Sequence, residues 1–103
     1  MNFTDYQGNA VHLSDERWMH ITEHHPETEG QIGIISDTLN YPDFIQEGTK
    51  GELLAIKKFT KTPVSDNKYC VVIYKIHMVE KGFVITAYFT RRPSFRRKLL
   101  WKK

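Results

Sequence analysis

Lys68-Tyr69-Cys70-Val71-Val72-Ile73-Tyr74-Lys75-Ile76-His77 and Gly82-Phe83-Val84-Ile85-Thr86-Ala87-Tyr88-Phe89-Thr90 are the stretches from which the fold is read. Both are rich in the β-branched and aromatic residues that suit a pleated, half-buried surface, and Glu80-Lys81-Gly82 between them is short enough for a hairpin turn. In the second stretch Phe83, Ile85, Ala87 and Phe89 fall on one face, and Val84, Thr86, Tyr88 and Thr90 on the other. The first set is expected to pack on helices, leaving the second free to work.

Upstream, Glu52 to Phe59 reads as a further strand and Asp43 to Gln46 as a short one, with a polar loop from Thr60 to Asn67. Before them lie two helices. Ser14 is an N-cap with Asp15 and Glu16 in the first turn, and the helix is expected to end near His24 because His25 precedes a proline. Pro26 can open a second helix whose buried stripe is Ile32, Ile35 and Leu39, weakened by Gly33 and closed by Asn40-Tyr41-Pro42. The opening from Phe3 to Leu13 reads as an irregular or extended lead-in, turning at Gln7-Gly8-Asn9. Downstream, Arg91 to Lys103 holds seven bases and ends in Leu99-Leu100-Trp101, an apolar triplet suited to a short edge strand. The expected fold is α+β: two N-terminal helices packed on one face of a three- to four-stranded antiparallel sheet. It is one domain over residues 1–103, with a basic C-terminal segment at 91–103.

No apolar run approaches the roughly 18 residues of a membrane span. The N-terminal Met1-Asn2-Phe3-Thr4-Asp5-Tyr6 has no signal-peptide pattern, and a lone Cys70 makes no internal disulfide. These features make the cytoplasm the expected compartment. Charge divides along the chain: residues 1–47 carry nine acids against Arg17, whereas the remainder carries fourteen bases against Glu52, Asp66 and Glu80. Such asymmetry suggests a basic face for a polyanion.

The densest chemistry lies in His20-Ile21-Thr22-Glu23-His24-His25-Pro26-Glu27, with three of the five histidines at a helix end. Histidine exchanges protons near neutral pH, so the cluster suits an acid/base site, a metal site or a pH sensor. On a helical wheel Trp18, Ile21 and His25 share one side, and Arg17, His20 and His24 lie on its flank.

Several short patterns together resemble a known group. They are Trp18-Met19-His20-Ile21, His24-His25-Pro26-Glu27, Leu39 with Pro42-Asp43, Tyr69-Cys70-Val71-Val72-Ile73, Phe83 to Thr90 and Leu100-Trp101. The chain is similar to small nuclease-like domains of phage and mobile elements, of the barnase, EndoU, colicin and RelE type of metal-independent RNases. That resemblance implies RNA as the substrate, no cofactor, a ribosome or tRNA as a candidate target, a cognate inhibitor protein as a candidate partner, and a toxin or phage-effector role. The chain departs from the pattern at His24, where an arginine often stands.

Metal-independent RNA cleavage needs a base for the ribose 2′-OH, an acid for the departing 5′-oxygen, and donors on the phosphoryl oxygens. His24 or His25, flanked by His20, would be base or acid, with hydroxyls from Thr86, Tyr88 and Thr90. Lys57, Arg91 and Arg92 offer charge to phosphate, Tyr74 and Tyr88 offer rings to a splayed base, and Arg96 and Arg97 extend the basic tail. Three other readings compete. His25 can be a helix-ending histidine satisfied by backbone carbonyls. His20-Ile21-Thr22-Glu23-His24 matches the H-x-x-E-H pattern of zinc peptidases, though a catalytic zinc normally takes a third protein ligand. The chain can also be a non-catalytic nucleic-acid-binding or interaction module, with its arginines on phosphates and tyrosines on bases. Cys70, inside an apolar strand, reads as core.

Overall fold

The computed structural model describes every residue except Val64, and all side chains but those of Val64 and Asn67. The first helix starts because Ser14, in extended conformation, accepts the Arg17 N–H on its hydroxyl at 3.0 Å. Helix α1 spans Asp15–His24, and His25 leaves the helical region at φ −131°, ψ 74°. Pro26 opens a single 3-10 turn, Pro26–Thr28, and Gly30 at φ +76° redirects the chain before α2, Ile32–Asn40. Ile35 and Leu39 of α2 are buried, with Ile32 packed against the same core.

Among the described residues there are seven strands, in chain order β1 Asn2–Thr4, β2 Ala10–His12, β3 Phe44–Glu47, β4 Leu53–Lys61, β5 Asp66–Met78, β6 Lys81–Thr90 and β7 Leu99–Lys102. They form one sheet in the order β1-β2-β6-β5-β4-β3-β7. The expected three- to four-stranded antiparallel sheet is therefore too small and wrong in type. The lead-in is a hairpin whose second strand runs parallel to β6, from Ala10 beside Lys81 to His12 beside Phe83, making the sheet mixed. Its turn is built by Asp5, which accepts the backbone N–H groups of Gln7 and Asn9 at 3.0 and 2.8 Å, with Gly8 at φ +86°. Leu99–Lys102 forms the far edge beside β3. The expected 60–67 loop is shorter than read, since β4 extends to Lys61 and β5 begins at Asp66; Val64 within it lies outside the described residues. Among those residues no helix is long and apolar enough to cross a membrane.

The alternation read for β6 does not hold along its whole length. Ile73 of β5 lies opposite Thr86, but the next residue, Tyr74, lies opposite Val84, so Ile85 is an extra residue in the ladder. This bulge inverts the faces: Gly82 and Val84 point to the same side as Ala87, while Phe83, expected in the core, is exposed. Cross-strand registers then define two surfaces. Ile45, Ala55, Val72 and Ala87 make one row of the main core with Ile21, Ile35 and Leu39 of the helices. On the opposite surface Phe44, Ile56, Val71 and Tyr88 form one row, Gln46, Leu54, Ile73 and Thr86 a second, and Lys58, Tyr69 and Thr90 a third. That surface is not bare, because Leu54, Ile56 and Val71 are a second small core shielded by Phe44, Tyr69, Ile73 and Tyr88.

Two glycines discriminate between open and crowded backbone. A Cβ on Gly82 would run into the Lys75 carbonyl oxygen and the Ile76 side chain, whereas one on Gly33 meets nothing within 4 Å. Gly82→Ala is expected to destabilise by about 1–3 kcal/mol and Gly33→Ala to stabilise by about 0.5–1 kcal/mol. Urea titration of both variants checks the opposite signs.

Candidate active site

The end of α1 meets β6 beyond Phe83, the last residue of that strand paired with β2. A cleft of about 170 Å³ lies there, lined by Arg17, His20, Ile21, His24 and His25 from α1 and its C-cap and by Ile85 and Thr86 from the strand. His25 is held through its backbone on both sides. Its N–H donates to the Ile21 carbonyl at 2.7 Å, and its own carbonyl accepts from the Thr28 hydroxyl at 2.7 Å and the Thr28 N–H at 2.9 Å. The imidazole lies against the Tyr88 ring, centroids 5.6 Å apart and planes tilted by 32°. Its ring nitrogens make no hydrogen bond to protein among the described residues. The backbone carbonyls that the sequence reading offered as partners for the ring are thus not its partners among the described residues, and the ring instead packs on Tyr88.

His20 and His24, one turn apart, meet edge to face with centroids 5.0 Å apart. Among the described residues no three His, Cys, Asp or Glu side chains are grouped to hold a metal ion, so this pair lacks the third ligand the zinc reading requires. Arg17 joins them at the cleft. The helical wheel put it beside His20 and His24, but its place in the site becomes visible only once the strand supplies the facing wall.

The fold does not gather every candidate at this cleft. Thr90 accepts the Arg92 N–H and donates to the Arg92 carbonyl at 3.3 and 3.2 Å, so its hydroxyl closes the turn into the tail instead of serving the histidines. Lys57 lies in the core-side row with Cys70, and its ammonium donates to the Tyr41 carbonyl at 2.8 Å, away from Tyr88. Tyr74 is 0% exposed and donates to the Asp5 carboxylate at 3.0 Å, so it stacks on no base. Arg91 and Arg92 line a different hollow, beyond Thr90, and Arg97 lines another beside Phe44 and Leu99. Arg96 is exposed in the tail. Sequence reading missed Lys58, Tyr69 and Phe95, which border those hollows; their shared face depends on the β4–β5 register, which one sequence does not display.

Two groups in the core, Cys70 and Tyr74, are shifted by burial. Burial pushes the Cys70 thiol up to about 12, too high for a nucleophilic thiolate at neutral pH. Burial, with Asp5 close by, also raises the Tyr74 phenol above its ordinary value.

Comparison with models of protein families, with curated proteins and with solved structures finds no match to this chain.

Cys70 and Tyr74 set an alkaline limit. Both are acids kept neutral by folding, so above their unfolded values of 9.0 and 10.0 the unfolded chain binds fewer protons than the native one. Stability is therefore fully present below about pH 9 and falls as pH rises beyond it. Melting temperatures by circular dichroism from pH 8 to 11 are expected to show that fall. Tyr74→Phe should fall less steeply above pH 10, while losing about 1–3 kcal/mol at pH 7 because Asp5 keeps its burial without its phenol donor.

Proposed function

We propose that this chain is a metal-independent endoribonuclease-like domain that cleaves RNA by attack of a ribose 2′-OH on the adjacent phosphate. The observation that carries this reading is His25. A backbone-anchored imidazole, ring-packed on Tyr88, borders a cleft that Arg17, His20 and His24 share with the uncharged Ile21, Ile85 and Thr86. Rigid placement with an open proton-transfer atom is what general acid–base catalysis requires.

In this mechanism His25 removes the 2′-OH proton, the 2′-oxygen bonds to phosphorus, and the bond from phosphorus to the 5′-oxygen breaks. The departing oxygen takes a proton from the second histidine at the cleft, His24. The products are a 2′,3′-cyclic phosphate and a 5′-hydroxyl, and no further reactant is consumed. Arg17 and His20 supply donors to the phosphoryl oxygens, where charge grows in the transition state. Arg17 thereby takes the part left open by the absence of an arginine at position 24. Thr86 lines the strand side, and Tyr88 holds the His25 ring in place. RNA as partner and a cytoplasmic location belong to the same reading, as does the resemblance to the barnase, EndoU, colicin and RelE type of RNase.

Purified protein incubated with total RNA in EDTA is expected to yield fragments ending in cyclic phosphate. His25→Ala should reduce the rate by about 10²- to 10⁴-fold, the usual range for one acid–base group. Intact RNA with wild-type protein, or equal cleavage by His25→Ala, would contradict the assignment.

A further inference from the structure

Phe95 is 76% exposed, yet its ring is not loose: Phe44 stacks beneath it, centroids 6.5 Å apart and planes 27° apart. Phe44 is itself braced edge-on by Tyr69 at 6.5 Å. A large aromatic ring held in solvent leaves apolar area unburied, and here it separates two hollows that both contain cations. One, of about 400 Å³, is lined by Lys58, Tyr69, Arg91, Arg92, Pro93 and Phe95. The other, of about 390 Å³, carries Arg97 and Lys102 among apolar walls that again include Phe95. The tail that presents this ring is tied down at Ser94, whose carbonyl accepts from the buried Gln46 amide at 2.6 Å, and at Pro93, which is buried.

We infer that Phe95, braced by Phe44 and flanked by Lys58, Arg91 and Arg92, is a nucleotide subsite for single-stranded RNA. The base stacks on the exposed face of Phe95, and the neighbouring phosphates meet the three cations. This deepens the RNase reading and rests on it for the identity of the ligand. The register places the Lys58–Tyr69–Thr90 row next to the row containing Tyr88, two residues or about 7 Å along the strands. A strand whose scissile phosphate lies at His25 and Tyr88 thus continues into the hollow. The chemistry selects a single strand because a stacked base must be splayed from any partner, and flat aromatic platforms beside cationic grooves take bases of any sequence. The Lys58 ammonium, 5.9 Å from the Tyr69 ring centroid, is held at the mouth of the same hollow by cation–π attraction.

The test is fluorescence anisotropy with a fluorescein-labelled, fully 2′-O-methylated RNA dodecamer, which cannot be cut, titrated across a range of salt. Phe95→Ala is expected to weaken binding by about 5- to 150-fold, the range for one stacked base, with an unchanged salt slope. Arg92→Gln should instead lower the salt slope by about 0.7, the value for one phosphate contact on a single strand. Binding by Phe95→Ala within twofold of wild type, or equal affinity for a duplex of the same length, would overturn the subsite. Cleavage of unmodified RNA, followed in parallel, separates the two ideas. A stacking loss in a protein that cuts nothing keeps the subsite and overturns the nuclease reading; undiminished binding in a variant of an active nuclease does the reverse.

Discussion

One inserted residue in β6 decides which side chains of that strand's first half enter the core. Without the Ile85 bulge, strict alternation would carry Val84, Thr86, Tyr88 and Thr90 to a single side of the sheet. With it, Val84 joins Ala87 under the helices and Phe83 turns outward, while Thr86 and Tyr88 stay on the opposite surface, where His25 meets Tyr88. Bulges sharpen local twist and re-aim side chains, and they recur beside active sites for that reason. The β1–β2 hairpin completes the arrangement by covering only the first residues of β6 and leaving the rest of that edge to α1.

Charge follows the same division. The helix layer exposes Asp15, Glu16, Glu23 and Asp37, while the second sheet surface and the tail across it carry Lys58, Arg91, Arg92, Arg97 and Lys102. The cations beside the tail would draw a polyanion toward that surface before contact. On that side Tyr88, Tyr69 and Phe44 pack on the second small core, and Phe44 meets the rings of Tyr69 and Phe95.

Local signals were legible in the sequence where one residue type has one strong physical preference. Ser14 as a cap, His25 forced out of the helix by Pro26, the stripe through Ile35 and Leu39, and Cys70 as core each follow from nearest-neighbour physics. The sheet's size was not legible, because β1 and β2 are three residues each, with a single buried residue apiece, and β2 pairs in parallel with a strand some seventy positions away. Nor does alternation reveal a bulge, which is why Phe83 was read as core. Tyr74 misled for a related reason: its role depends on Asp5, 69 residues distant. Of the candidate site, the histidines and Tyr88 were found by their chemistry, whereas Arg17, Lys58 and Phe95 needed the register and the path of the tail.

The central claim is that RNA chemistry happens at His25 and Tyr88, on the part of β6 that β2 does not pair. A crystal structure of the protein with an RNA oligonucleotide bearing one 2′-deoxy residue at the cleaved position tests it most directly. The account predicts that the 2′-carbon of that residue lies beside the His25 imidazole, close enough for a 2′-oxygen to sit about 2.6–3.2 Å from a ring nitrogen, with the scissile phosphate facing Arg17. RNA bound elsewhere, such as at the exposed Met78-Val79 hairpin tip, with the histidine cleft unvisited, would contradict it.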